Sequence, residues 1–318
     1  MKITVIGCGR WGSLITWYLD KIGHDITLYG RSSSKHMQRF LSERRNDLLT
    51  LPESVKLSTD FSSLGDAEVI VISIGSQGLQ GLMDELGPLE LKNKIFVLCM
   101  KGIEISTCRR LSQVVSDNTD PSNKIAVWLG PGHVQEFYAG IPNCMVIDSD
   151  DEEVKEKLVE EFSGDLIRFY YGRDLLGNEI GAAAKNVIGI AAGMLDGYGL
   201  SSLKGALMSR GTREIARLIK AMGGNELSAY GLCHLGDYEA TVFSKYSHNR
   251  KYGEAFIKGE PYDKLAEGYY TVKALVALAD KYNVELPICS AVYAILYENA
   301  DAKETFDSLF TRSLKKEF

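Results

Sequence analysis

The chain has 318 residues, 45% of them apolar and 25% charged, with a formal net charge of -6. That length allows two domains, each with its own core. The acidic balance argues against a general binder of nucleic acid or of an anionic membrane, because such affinity rests on a basic surface that releases counterions. An anionic ligand must therefore meet a locally positive pocket.

Six cysteines (Cys8, Cys99, Cys108, Cys144, Cys233, Cys289) are scattered without a C-x-x-C pair, and the five histidines form no H-x-x-x-H pair. This pattern suits reduced thiols in a cytoplasmic protein and assigns no metal. The opening run MKITVIG is too short for a signal peptide or a membrane span, so no membrane insertion is expected.

In chain order, short β-branched runs alternate with helical patterns: KITVI, DITLY, EVIVISI, KIFVLC, KIAVWL, CMVID and LIRFY. Continuous apolar runs separated by helix-length segments predict parallel strands buried on both faces, hence a doubly wound, mostly parallel α/β domain over 1–175. From 176 to 318 the pattern is helical, as in Leu207, Gly211, Ile215, Leu218, Ile219 and Met222. The two domains are expected to pack directly with a cleft between them. The stretch from about Asn225 to Lys264, rich in Gly, Ser, Tyr and charge, reads as a long irregular segment. The tail 315–318 reads as a helix end.

Gly7-Cys8-Gly9-Arg10-Trp11-Gly12 follows the first strand and opens the first helix, the context a dinucleotide fingerprint requires. Gly7 makes the turn, Gly9 admits a pyrophosphate, and Gly12 permits close helix–strand packing. The second strand is followed by Gly30-Arg31-Ser32 with no acid to bind a ribose 2′-hydroxyl. Arg31 and Ser32 are therefore expected at a 2′-phosphate, so that NADP(H) is preferred, with NAD(H) as the alternative. Three loops, Gly75-Ser76-Gln77, Lys101-Gly102 and Gly130-Pro131-Gly132, stand at carboxyl ends of strands, where such sheets bind ligands.

The segment Glu179–Gly199 reads EIGAAAKNVIGIAAGMLDGYG, with Gly181, Gly189 and Gly193 spaced by multiples of four around Lys185. Glycine costs a helix about 0.5–1 kcal/mol relative to alanine, so something approaches this face closely. A desolvated lysine there has a pKa lowered toward neutrality and serves as a proton donor or acceptor. Tight helix packing is the other reading of the same small residues.

The succession GCGRWG, GSQ, MKGIE, LGPG, EIGAAAKNVIGIAAG, GLCHLGDYEATVFSKYSHNRKYG, AEGYYTVKALVALADK and LPICSAVYAILYE, spanning almost the whole chain, resembles the NAD(P)-dependent glycerol-3-phosphate dehydrogenase family. The resemblance implies a Rossmann domain followed by an all-α domain. It implies reduction of dihydroxyacetone phosphate to sn-glycerol 3-phosphate for phospholipid synthesis, while the apolar helical domain suits a homodimer. It makes Lys185 the catalytic lysine, with Asn186 and Asp237 beside it. Lys101, Gly130, Thr241, Ser247, His248 and Asn249 are implied on the substrate side. Gly7, Gly9, Arg10, Trp11, Gly12, Ser76, Lys101, Val134, His248 and Glu267 are implied on the cofactor side. Three positions depart from the family pattern: His248 stands where the family carries a phosphate-gripping arginine, Gly132 where it has a polar residue, and Arg10 where it has a small one. A histidine offers less charge and no bidentate fork, so another small phosphorylated or acidic 2-ketone is an alternative substrate. A non-catalytic NADP(H)-binding redox sensor is the alternative of a different class.

Overall fold

A computed structural model of the protein describes residues 1–313 and 316, and the expectation for the tail falls outside these apart from Lys316. Eight strands form one sheet: β1 (Lys2–Ile6), β2 (Asp25–Tyr29), β3 (Lys56–Ser58), β4 (Val69–Ile72), β5 (Ile95–Leu98), β6 (Lys124–Leu129), β7 (Asn143–Ser149) and β8 (Ile167–Tyr171). Between them run α1 (Arg10–Lys21), α2 (Lys35–Glu43), α3 (Ser62–Asp66), α4 (Leu79–Leu86), α5 (Leu111–Asn118), α6 (Val134–Tyr138) and α7 (Glu152–Phe162). The remainder is helical, with α8 (Leu175–Gly197), α9 (Lys204–Ala221), α10 (His248–Lys258), α11 (Glu267–Tyr282), α12 (Pro287–Tyr297) and α13 (Ala302–Phe310).

The sheet order is β3-β2-β1-β4-β5-β6-β7-β8. Strand order reverses between β1 and β4, the switch point beside which such sheets bind ligands. Val69, Ile70, Val71 and Ile72 are all buried, as expected for a strand covered on both faces. The mostly parallel sheet is as expected, and two features add detail to it. A short edge strand, β3, pairs with β2, and its partly exposed Lys-Leu-Ser lacks the apolar run that marks the others. The pairing of β6 with β7 is antiparallel, a direction that apolar runs do not encode because they read alike either way.

The fingerprint glycines are required sterically. Gly7 has φ +116°, and a Cβ there would lie 2.1 Å from the Ser73 carbonyl oxygen. At Gly12 a Cβ would lie 1.8 Å from the Gly7 carbonyl oxygen.

Asp148 on β7 accepts hydrogen bonds from the Asp174 N–H and Asn178 Nδ2, at 3.0 and 2.7 Å, and so fixes the start of α8 against the sheet. Lys185 lies about 15 Å further along that helix. The small residues of α8 admit another backbone. A Cβ at Gly193 would lie 1.9 Å from the Arg250 carbonyl oxygen, and one at Gly253 would lie 2.1 Å from that of Ile190. Helices α8 and α10 are thus in backbone contact, as the tight-packing reading of these small residues expects.

The segment expected to be irregular is largely helical. It holds two 3-10 turns (Glu226–Tyr230, Leu235–Asp237), a π-helical turn (Glu239–Phe243) and α10. Ser247 Oγ caps α10 by accepting from the Arg250 N–H, a serine N-cap that composition alone hides.

Candidate active site

The π-turn and its preceding 3-10 turn lie against the glycine face of α8. A Cβ at Gly181 would stand 3.0 Å from His234 Cβ, and one at Gly189 would stand 2.7 Å from Thr241 Cγ2. Around Lys185, on the same face, this approach assembles a polar cluster. Lys185 Nζ donates to Thr241 Oγ1 at 2.7 Å and lies 3.0 Å from Asp237 Oδ2. Thr241 Oγ1 in turn donates to the Asp237 carbonyl oxygen at 2.7 Å, which leaves its lone pairs for the lysine. Lys101, from the loop after β5, donates to Asp237 Oδ2 and to the Gly130 carbonyl oxygen, both at 2.6 Å.

Asp237 is 1% exposed and Lys185 8%. Two ammonium groups against one carboxylate leave the cluster with surplus positive charge, suited to an anion or a developing oxyanion. Burial lowers the Lys185 pKa to about 8, against the raising effect of Asp237 and with a further lowering by Lys101. An amine titrating there donates and accepts protons near neutral pH.

Asn186 and Asn249 form a directed chain across the domains. Asn186 Nδ2 donates to the Lys101 carbonyl oxygen at 3.0 Å, Asn249 Nδ2 donates to Asn186 Oδ1 at 2.9 Å, and the Gly268 N–H donates to Asn249 Oδ1 at 2.9 Å. Next to Gly268, Glu267 accepts from the Ser76 N–H at 3.1 Å and from Ser76 Oγ at 2.5 Å. Burial raises the Glu267 pKa, against the opposing effect of the Ser76 hydrogen bonds. The switch-point loops of the sheet are thereby bonded to α8, α10 and α11.

On the cofactor side, a Cβ at Gly9 would meet nothing within 4 Å, while Gly9 caps α1 with no side-chain hydrogen bond and no acidic residue in the first turn. The unpartnered N–H groups of that turn fit the pyrophosphate of a dinucleotide. Trp11 packs its ring edge against Phe137 at 6.1 Å, and Lys101 Nζ stands 5.8 Å from the Trp11 ring centre. Val134 is buried in the sheet core, so its side chain supports the site without facing it. Arg31 and Ser32 lie at the far end of β2, apart from the lysine cluster. Arg31 Nη2 pairs with Glu85 Oε1 at 2.5 Å in an exposed ion pair, and the Ser32 carbonyl oxygen accepts from Gln38 Nε2 at 2.7 Å.

The expectation of a partly charged histidine at position 248 is corrected. Arg10 Nη1 approaches His248 Nε2 at 2.6 Å, and since a guanidinium only donates, Nε2 carries the lone pair. The ring proton then sits on Nδ1 and donates to the Tyr262 hydroxyl at 2.6 Å. Burial, followed by the charge of Arg10, lowers the His248 pKa to about 4, so the ring is neutral at physiological pH. Gly132 has φ +136°, and a Cβ there would lie 2.3 Å from the Phe137 ring, which explains the absence of a larger polar residue.

Sequence reasoning missed His133, Gln135 and Tyr262. His133 stands beside Gly132, with its ring against Tyr246 at 5.3 Å and its Nε2 buried without a hydrogen-bond partner. No spacing rule marks it, because the charged groups around it come from α1, α8, the loop after β5 and a 3-10 turn.

No helix among the described residues is long and apolar enough to cross a membrane. Among the described residues no group of three His, Cys, Asp or Glu side chains is arranged to hold a metal.

The family model for the N-terminal part of NAD-dependent glycerol-3-phosphate dehydrogenase matches residues 2–155, and that for the C-terminal part matches 174–307. A glycerol-3-phosphate dehydrogenase [NAD(P)+] of Thermoanaerobacter sp. (strain X514) is 34% identical over 329 residues, covering 100% of this chain and 99% of that protein. The crystal structure of glycerol-3-phosphate dehydrogenase from Coxiella burnetii superposes with a TM-score of 0.91 at 28% identity, over 98% of this chain and 99% of that one. The yeast (Saccharomyces cerevisiae) glycerol-3-phosphate dehydrogenase shares the fold at 20% identity and a TM-score of 0.82, over 96% and 98% of the two chains. These matches establish that the chain belongs to the NAD-dependent glycerol-3-phosphate dehydrogenase family.

Proposed function

We propose that this protein reduces dihydroxyacetone phosphate to sn-glycerol 3-phosphate, with Lys185 as the proton donor. The observation that carries this reading is the buried Lys185 ammonium, held by Asp237 and Thr241 at 3.0 and 2.7 Å with its pKa lowered to about 8. A reduced nicotinamide, when bound, supplies the hydride to the carbonyl carbon. Lys185 Nζ hands its proton to the carbonyl oxygen as that charge develops, and the neutral amine recovers a proton from solvent. In the reverse direction the neutral amine accepts the hydroxyl proton.

Asp237 keeps the ammonium aimed, and Lys101 adds positive charge beside the reacting oxygen. Asn186 and Asn249 hold the substrate-side loops in register, with Ser247, Thr241 and Gly130 completing that wall. The turn Gly7–Gly12 and the Glu267–Ser76 pair support a cofactor-binding role at the opposite wall.

NADP(H) preference belongs to the same proposal and is supported by Arg31 and Ser32 in place of an acid after β2. A homodimer is supported by the apolar helical domain, a cytoplasmic location by the scattered cysteines, and supply of phospholipid synthesis by the family resemblance. The test is loss of NADPH absorbance on adding dihydroxyacetone phosphate to the purified protein, with Lys185→Ala as control. The proposal expects turnover in the wild type, and none in the variant while NADPH binding is kept. No turnover with this substrate, but turnover with another small phosphorylated ketone, would reassign the substrate. A protein that binds NADPH and turns over neither is the redox-sensor alternative.

A further inference from the structure

Arg10 is the first residue of α1 and His248 the first of α10, so the bond between them brings two helix amino termini together across the domain seam. Each first turn presents N–H groups without intrahelical partners and the positive end of a helix dipole. The guanidinium between them is half-buried and pairs with no carboxylate among the described residues. Its contacts are His248 Nε2 at 2.6 Å and Gln135 Oε1 at 3.4 Å, both uncharged acceptors. A desolvated cation at two converging helix termini is an incomplete site that an anion completes.

Two paths join Arg10 to the reacting cluster. Through the loop after β6, Gln135 lies five residues from Gly130, the carbonyl that holds Lys101 Nζ, and His133 with its unpartnered buried Nε2 lies between them. Through α10, His248 adjoins Asn249, which is bonded to Asn186 beside Lys185. The neighbouring Arg250 is already engaged, with Asp196 Oδ2 and Glu254 Oε2 both 2.8 Å from Nη1. The Arg10 side chain leaves the fingerprint turn for this cleft, whereas the backbone at Gly9 faces the open space beside the turn.

We infer that Arg10, steered across the domain seam by His248 and Tyr262, is the receptor for the phosphate of the substrate, and that the cofactor pyrophosphate takes the backbone N–H groups of the fingerprint turn instead. The identity of that substrate rests on the dihydroxyacetone phosphate reading; the phosphate chemistry does not. The guanidinium offers its remaining N–H groups to phosphate oxygens, while the neutral imidazole fixes its orientation without competing for the anion.

The experiment compares Arg10→Ala and the shorter, neutral but still hydrogen-bonding Arg10→Gln with wild type in three readouts: NADPH affinity by fluorescence, affinity of the NADPH complex for inorganic phosphate by calorimetry, and KM for dihydroxyacetone phosphate beside kcat/KM for unphosphorylated dihydroxyacetone. The expected result is a loss of about 10- to 100-fold in phosphate affinity and a matching rise in KM for the phosphorylated ketone, the worth of one or two charge-assisted hydrogen bonds. NADPH affinity and the rate with dihydroxyacetone stay within about threefold. Moving the fork to the other side of the 2.6 Å bond, as Arg10→Ser with His248→Arg, recovers at least about tenfold of the loss seen in Arg10→Ser alone. A tenfold or greater loss of NADPH affinity with phosphate affinity unchanged would assign Arg10 to the pyrophosphate and overturn the inference. Unchanged phosphate affinity in both Arg10→Ala and Arg10→Gln would also overturn it. A wild type inactive with dihydroxyacetone phosphate would sink the substrate reading alone, since the phosphate titration decides Arg10 without turnover.

Discussion

Lys101 Nζ and Lys185 Nζ meet on one oxygen, Asp237 Oδ2, at 2.6 and 3.0 Å. The carboxylate is buried and satisfies both cations, so neither lysine is free to swing away, and the Lys185 proton is aimed by the same atom that raises its pKa. Removing that charge acts on both lysines. Asp237→Asn is expected to lower the Lys185 pKa further and to reduce reductive kcat near pH 7.5 by about 100-fold, the usual scale for a misdirected acid. Steady-state rates over a pH series check this, and a variant within threefold of wild type would contradict it.

Lys185 also carries a stability signature. Its folded pKa of about 8 lies below the ordinary value of 10.5, so between these values the unfolded chain binds more protons than the folded one. Stability from this group therefore rises with pH through that window, and below about pH 8 its destabilising effect is present in full. Lys185→Met leaves Asp237 paired with Lys101 and is expected to unfold at a higher urea concentration than wild type at pH 7. The advantage shrinks toward pH 10. A variant less stable than wild type at pH 7 contradicts this assignment.

The contact between α8 and α10 gives a prediction of opposite sign to helix propensity. Gly193→Ala would gain about 0.5–1 kcal/mol in an isolated helix. Its Cβ would lie 1.9 Å from the Arg250 carbonyl oxygen, and backbone cannot swing aside as a side chain does. The variant is expected to lose about 1–3 kcal/mol, the cost of overpacking. Thermal melts against Gly205→Ala, where a Cβ would meet nothing within 4 Å, separate the two effects.

At the adenosine end, Arg31 is held by Glu85 in an exposed pair that water and salt weaken. Arg31→Ala is expected to lower kcat/KM with NADPH by about tenfold and to change that with NADH by less than threefold. Glu85→Gln, which frees the guanidinium, is expected to shift the ratio toward NADPH. Parallel kinetics with both cofactors decide this, and equal losses with NADPH and NADH would remove Arg31 from the 2′-phosphate.

Much of this site was legible because its chemistry is local in sequence. Gly7, Gly9 and Gly12 are dictated by one turn, and Lys185 stood out as a charge among glycines and alanines whose spacing matches a helix face. Asp237, Thr241, Asn249 and Glu267 were reached only through the family resemblance, since no periodicity marks them. The bond from Arg10 to His248 spans 238 residues and follows from how two helix starts meet, a relation that a linear pattern does not contain. The same holds for His133, which feels charges from α1, α8, the loop after β5 and a 3-10 turn, and for the antiparallel β7. Composition mistook 225–264 for an irregular segment because its glycines and serines include Gly253, a packing contact, and Ser247, a helix cap.

The most direct test of Lys185 as the proton donor is the pH dependence of kcat/KM for dihydroxyacetone phosphate reduction with NADPH, which reports groups of the enzyme before that substrate binds. A lysine that must be protonated for reduction predicts a level profile at low pH, falling with unit slope above about pH 8, with the oxidative direction rising through the same value. A reductive profile that stays level to about pH 10 would contradict the account.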